Sequence, residues 1–61
     1  MKIKWTDKHE QIMSQTNATI EDVREYPPMM KQLFIDVYLL PYVWEEGELK
    51  DAAEDIIALM F

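Results

Sequence analysis

Sixty-one residues, twelve acidic and six basic, with a net charge of −6 and no cysteine, describe one small domain spanning 1–61. Neither a disulfide nor a thiolate metal site can support it, and with 49% hydrophobic residues the chain is too apolar for intrinsic disorder. Folding would take roughly 10,600 Å² of exposed surface down to about 4,200 Å², so ~95 kcal/mol of apolar burial meets ~90 kcal/mol of chain ordering and any fold is marginal.

Thr6 can cap a first helix that runs to Gln15, with Asp7 at the positive end of its dipole. Trp5, His9, Ile12, Met13 and Thr16 share one face at i, i+4, i+7, i+8 and i+11. Met1 to Lys4 reads as a short extended lead-in. A second helix, Ile20 to Tyr26, starts from Thr19, with Asp22 in the third position of a capping box. Ile20, Val23 and Tyr26 are its apolar side, and Pro27 disfavours helical backbone at Tyr26. Two turns do not repay nucleation, so tertiary contacts must hold this helix.

Pro28 suits a helix start, and the third segment runs to Leu40. Its apolar residues surround the axis and leave only Lys31, Gln32 and Asp36 as a polar strip. A helix of that kind is expected at the centre of a fold. Phe34 to Trp44 also carries strand-favouring residues, but the apolar set runs back through Met29 and Met30 without alternating. Pro41 is expected to stop or kink the helix, leaving Tyr42 to Trp44 as one helical turn or a packed connection. In the fourth segment, Glu48 to Met60, Leu49, Ala52, Ala53, Ile56, Ile57 and Met60 fit the helical period at every position. Gly47 permits the turn before it. The expected architecture is all-α: a small three- or four-helix bundle around the central hydrophobic helix at about 28–40.

Catalytic residue types are scarce. His9 is the only imidazole, and Ser14 and Asp7 on the same short helix cannot converge with it on one reacting atom. Nothing has metal-ligand spacing, and the acidic stretch lacks the alternating acids and internal glycine of a calcium loop. No catalytic, cofactor-binding or metal residue is therefore expected, nor any cofactor. Asn17-Ala18-Thr19 matches a glycosylation acceptor, but Thr19 is better used as a helix cap.

Charge is uneven: residues 1–10 carry +1, residues 11–44 carry −2 and residues 45–61 carry −5. Direct binding to nucleic acid or to an anionic membrane is disfavoured, because both need clustered cations. The longest apolar run, Leu33 to Trp44, is too short to span a bilayer. No apolar signal region follows Met1 to Thr6, so a cytoplasmic location is expected.

Two features point to a partner. Glu45, Glu46, Glu48, Asp51, Glu54 and Asp55 form an acidic group in which Glu48, Asp51 and Asp55 would share a helix face. A solvated face explains them most simply. A docking surface for a basic or nucleic-acid-binding protein, or mimicry of phosphate spacing, would also use them. Met29, Met30, Tyr38, Tyr42 and Trp44 are the second feature, since a chain this small cannot bury all its apolar residues and grouped exposed ones mark interaction sites. The expected function is a non-enzymatic protein that binds and modulates a partner protein, with inhibition the expected mode, as small acidic bacteriophage accessory proteins do. The alternative is a structural or assembly component working as a homodimer or larger homo-oligomer.

Overall fold

A computed structural model describes residues 3–61, so the lead-in expected over Met1 to Lys4 lies partly outside the described residues. Ile3 to Thr6 have no regular structure. The helices are α1 (Asp7–Met13), α2 (Ile20–Arg24), α3 (Pro28–Phe34), a π-helical segment (Ile35–Leu39), α4 (Leu40–Glu45) and α5 (Lys50–Met60). Among the described residues there is no strand, and the fold is small and all-α.

The expected start signals act as local physics predicts. Thr19 Oγ1 accepts from the Asp22 amide and Asp22 Oδ2 accepts from the Thr19 amide, both at 3.2 Å. This reciprocal box satisfies two donors that a helix of five residues would otherwise leave open. Pro27 adopts extended backbone, and its carbonyl accepts the first α3 hydrogen bond, from Lys31 at 2.9 Å. Pro28 occupies the first turn, where its missing N–H costs nothing.

Pro41 does not end the third helix. Backbone dihedrals stay helical from α3 through the π segment into α4, and Pro41 lies in the first turn of α4. A proline ring collides with the carbonyl four residues back and offers that carbonyl no donor. The π register widens the preceding turn, so Leu40 N–H reaches the Ile35 carbonyl five residues back. The wider turn therefore lets the chain pass a proline that would otherwise break it. Tyr42 to Trp44 form a helical turn. Among the described residues the fold thus comprises four helical bodies: α1, α2, the run 28–45 and α5.

The core contains Ile12, Met13, Val23, Phe34, Ile35, Leu39, Ala52, Ala53, Ile56 and Met60. Ile12, Val23, Leu39 and Ile56 are its largest fully enclosed side chains. The element that touches most of the others is α5, which packs on α1, α2, the π segment and α4. Ala52 and Ala53 let neighbouring backbones come close, while Ile56 and Met60 continue the same face. The 28–40 segment expected at the centre is buried on its inner side only, through Phe34, Ile35 and Leu39. Its α3 part packs mainly on α2 and on the π segment that follows. Three short bodies cannot enclose a fourth helix on every side.

The first two helices end short of expectation, α1 at Met13 instead of Gln15 and α2 at Arg24 instead of Tyr26, and the last helix starts later than Glu48. The last helix begins at Lys50, because residues 46–49 form a turn. The residue in the left-handed conformation there is Glu46 (φ 54°, ψ 31°), while Gly47 has no positive φ. Lys31, expected on a polar strip, instead holds two helices together. Its Nζ donates to the Met60 carbonyl at 2.7 Å and lies 5.2 Å from the Phe61 ring centre. A cation there satisfies one of the open carbonyls at the negative end of α5 and ties α3 to it.

Candidate partner-binding surface

Since α3 is held from one side, its outer side faces solvent. Met29 (78% exposed), Leu33 (58%) and Val37 (61%) recur every four residues along this side, with Met30 exposed beside them. Apolar residues at i, i+4 and i+8 form a continuous ridge on a helix. Beneath the ridge runs an aromatic rib. Tyr26 meets Phe34 edge-on with centroids 6.3 Å apart, and Phe34 meets Tyr38 tilted at 5.0 Å. Two hollows share this rib. One, of about 280 Å³, is lined by Met30, Leu33 and Val37 together with Tyr26, Phe34 and Tyr38. The other, of about 160 Å³, adds Thr16, Asn17 and Ala18 to the same three aromatics.

Met29, Met30 and Tyr38, three of the residues expected to meet a partner, are exposed along this stretch of the 28–45 run. The row also contains Leu33 and Val37, which sequence reasoning misses. Their signal is the four-residue spacing from Met29, with Gln32 and Asp36 beside them, but apolar residues all round the helix conceal it. Gln32 Nε2 donates to Asp36 Oδ1 at 2.9 Å, which holds the polar strip along the edge of the row.

The other expected aromatic positions separate. Tyr42 is half-buried, and its hydroxyl donates to Gln15 Oε1, linking α4 to the end of α1. It is therefore not a free anchor. Trp44 is exposed on α4 but lines neither hollow of the rib.

The acidic group is dispersed. Glu45 ends α4, Glu46 is the left-handed residue and Glu48 lies in the turn, so Glu48 does not continue the α5 face of Asp51. Asp51 and Glu54 are exposed on α5, and Glu54 meets Lys50 at 3.4 Å one turn back. Asp55 departs most from expectation. Its Oδ2 lies 2.9 Å from Nε2 of His9, and its side chain is 43% exposed. It faces the buried imidazole of α1 instead of continuing a solvated face.

His9 is 4% exposed. The Thr6 amide lies 3.1 Å from Nδ1 and the Thr6 hydroxyl 2.8 Å from it. An amide N–H can only donate, so Nδ1 is an acceptor and the ring proton is assigned to Nε2, facing the Asp55 carboxylate. The imidazole takes the place that Glu or Gln usually fills in a capping box. Trp5 stacks on the ring with centroids 5.0 Å apart, and its Nε1–H donates to Glu10 Oε2 at 3.0 Å. Both ring nitrogens are therefore engaged within the chain. The imidazole is contacted by Thr6 and Asp55, and not by Ser14 and Asp7, the catalytic partners that the sequence would offer it.

Among the described residues no group of three or more His, Cys, Asp or Glu is placed to hold a metal ion, and no helix is long and apolar enough to cross a membrane. No family model, curated relative or solved structure matches the chain.

Proposed function

We propose that this chain is a non-enzymatic binding protein that docks a partner protein on the outer face of α3 and the π segment, and modulates the partner by covering its surface. The observation that carries this reading is the row of Met29, Leu33 and Val37, in solvent beside two hollows that share an aromatic floor. An apolar row of this kind is costly to leave wet in a small protein and supplies affinity when covered. The net charge of −6 would then raise the encounter rate with a basic surface.

The test compares affinity capture by the wild-type chain and by the Leu33→Asp variant. Leu33 is more than half exposed, so the variant should keep its helicity and stay within about 0.5 kcal/mol of wild-type stability. A protein retained by wild type should be lost with Leu33→Asp. Equal retention by both chains would remove the face from the reading. A homo-oligomer would use the same surface, and sedimentation across a concentration series separates the two: binding of a different protein predicts a monomer whose mass does not change with concentration.

A further inference from the structure

We propose that Met29 and Met30 are an oxidation site: a peroxide converts both thioethers to sulfoxides with the fold intact, and the outer side of α3 changes from apolar to polar. The oxidation stands on exposure and sulfur chemistry. Only its effect on partner capture rests on the binding reading above.

Methionine carries all the sulfur of this chain, since there is no cysteine whose thiolate would consume the oxidant first. The structure divides the methionines by access. Met29 is 78% exposed and Met30 49%, whereas Met13 is 5% exposed and Met60 2%. Met13 and Met60 belong to the core, so an oxidant reaches them only when the fold opens. Met60 stands in the last turn of α5, and helix ends fray. There, however, Lys31 Nζ donates to its carbonyl at 2.7 Å and holds that end against α3. Met1 lies outside the described residues.

The step is a two-electron oxygen transfer. A sulfur lone pair attacks one peroxide oxygen, the O–O bond breaks and the S–O bond forms. With hydrogen peroxide the other oxygen leaves as water, so sulfur is oxidised and the peroxide reduced. A sulfoxide reductase supplied with a dithiol reverses the change, removing the oxygen as water and leaving the dithiol as a disulfide.

The products fall where polarity matters. Met29 heads the row continued by Leu33 and Val37, and Met30 lines the hollow of about 280 Å³. A sulfoxide replaces a flexible apolar side chain with a polar, chiral one. Oxygen on Met29 therefore interrupts the apolar row, and oxygen on Met30 places a dipole in the wall of the hollow. Neither residue is part of the core, so packing is kept. The same oxygen on Met13 or Met60 would bury a polar group among apolar neighbours.

The experiment treats the wild-type chain with dilute hydrogen peroxide and follows sulfoxide by mass spectrometry of tryptic peptides. Met13 falls in 9–24, Met29 and Met30 in 25–31, and Met60 in 51–61, so exposed and buried residues are read separately. Met29 and Met30 should oxidise at least about tenfold faster than Met13 and Met60, because the buried residues react only through openings of the fold. The chain oxidised at 29 and 30 should keep its far-ultraviolet circular dichroism and urea midpoint and elute earlier from a native hydrophobic-interaction column. Reductase and dithiol should restore its retention. A double variant, Met29→Leu with Met30→Leu, conserves volume at two exposed positions and should keep its retention through the same treatment. Equal rates at exposed and buried methionines, or faster reaction at Met13 or Met60, would overturn the site. Loss of helicity on oxidation of Met29 and Met30, or unchanged retention, would overturn the switch from apolar to polar on an intact fold. Equal capture of a partner by the oxidised and reduced chains, with capture still lost in Leu33→Asp, would overturn the effect on docking and leave the face standing. Capture indifferent to Leu33→Asp would remove the face reading, while the measured rates alone would uphold or overturn the oxidation site.

Discussion

Asp55→Ala should destabilise the protein while the neighbouring substitutions Asp51→Ala and Glu54→Ala leave it nearly unchanged. All three are carboxylates on α5, and on the sequence alone all three belong to one acidic surface. The structure separates them by their partners. Asp51 and Glu54 are exposed, and the 3.4 Å contact of Glu54 with Lys50 is a surface i,i+4 pair worth about 0.3–0.5 kcal/mol. Asp55 accepts from an imidazole whose side chain is only 5% exposed. Removing the carboxylate leaves a buried N–H without its acceptor, at a cost of about 1–3 kcal/mol. The Asp55 side is 43% exposed, so water can enter the vacated space, and the lower half of that range is expected. For a domain of this size about 1 kcal/mol moves the midpoint of thermal unfolding by about 4–8 °C. Urea titration followed by far-ultraviolet circular dichroism reads the difference directly. Asp55→Asn keeps an acceptor oxygen and should fall between wild type and Asp55→Ala. A double-mutant cycle with His9→Leu isolates the pair: once the imidazole is gone, Asp55→Ala should cost little more. Equal urea midpoints for Asp55→Ala and Asp51→Ala, or a cycle without coupling, would refute the role given to the His9–Asp55 contact.

Ile56→Ala removes a fully buried side chain at the centre of α5 and should cost about 2–5 kcal/mol, a large part of the stability of a 61-residue domain, and calorimetry should show a collapsed or absent transition. Glu46→Gly should stabilise by a few tenths to about 1 kcal/mol, since the left-handed backbone at φ 54° strains a residue with a Cβ while glycine loses some unfolded-state entropy in exchange; a lowered urea midpoint would contradict the assigned turn. Tyr42→Phe removes the hydroxyl that donates to Gln15 and should cost about 0.5–1.5 kcal/mol without weakening partner capture. Loss of capture with unchanged stability would return Tyr42 to the binding surface.

Local chemistry was legible in the order of residues. The Thr19–Asp22 box, the helix start at Pro28 and the apolar stripe of the last helix each depend on side chains within a turn or two of each other. Their geometry is set by backbone periodicity before any tertiary contact forms. The all-α class follows from the same short-range patterns. Pro41 is a different case, because its local rule forbids a continuous α-helix and does not say how the chain will respond. Packing of the π segment, with Ile35 and Leu39 in the core, against α5 keeps the helix going, and the cost is taken up in one wide π turn.

Long-range order decided the rest. His9 and Asp55 are 46 residues apart, and no periodicity links them; they meet because α1 and α5 pack against each other, and that turns an apparent surface acid into a structural acceptor. Which side of the 28–40 segment is wet was equally hidden, since apolar residues surround its axis and the sequence carries no mark of where the neighbouring helices end. Hydrophobicity states how much a residue gains by leaving water, but only the enclosing elements determine whether there is somewhere for it to go. Met29, Leu33 and Val37 stay in solvent because α1, α2 and α5 are already used to cover Ile12, Val23, Leu39 and Ile56, and among the described residues no further helix lies over them.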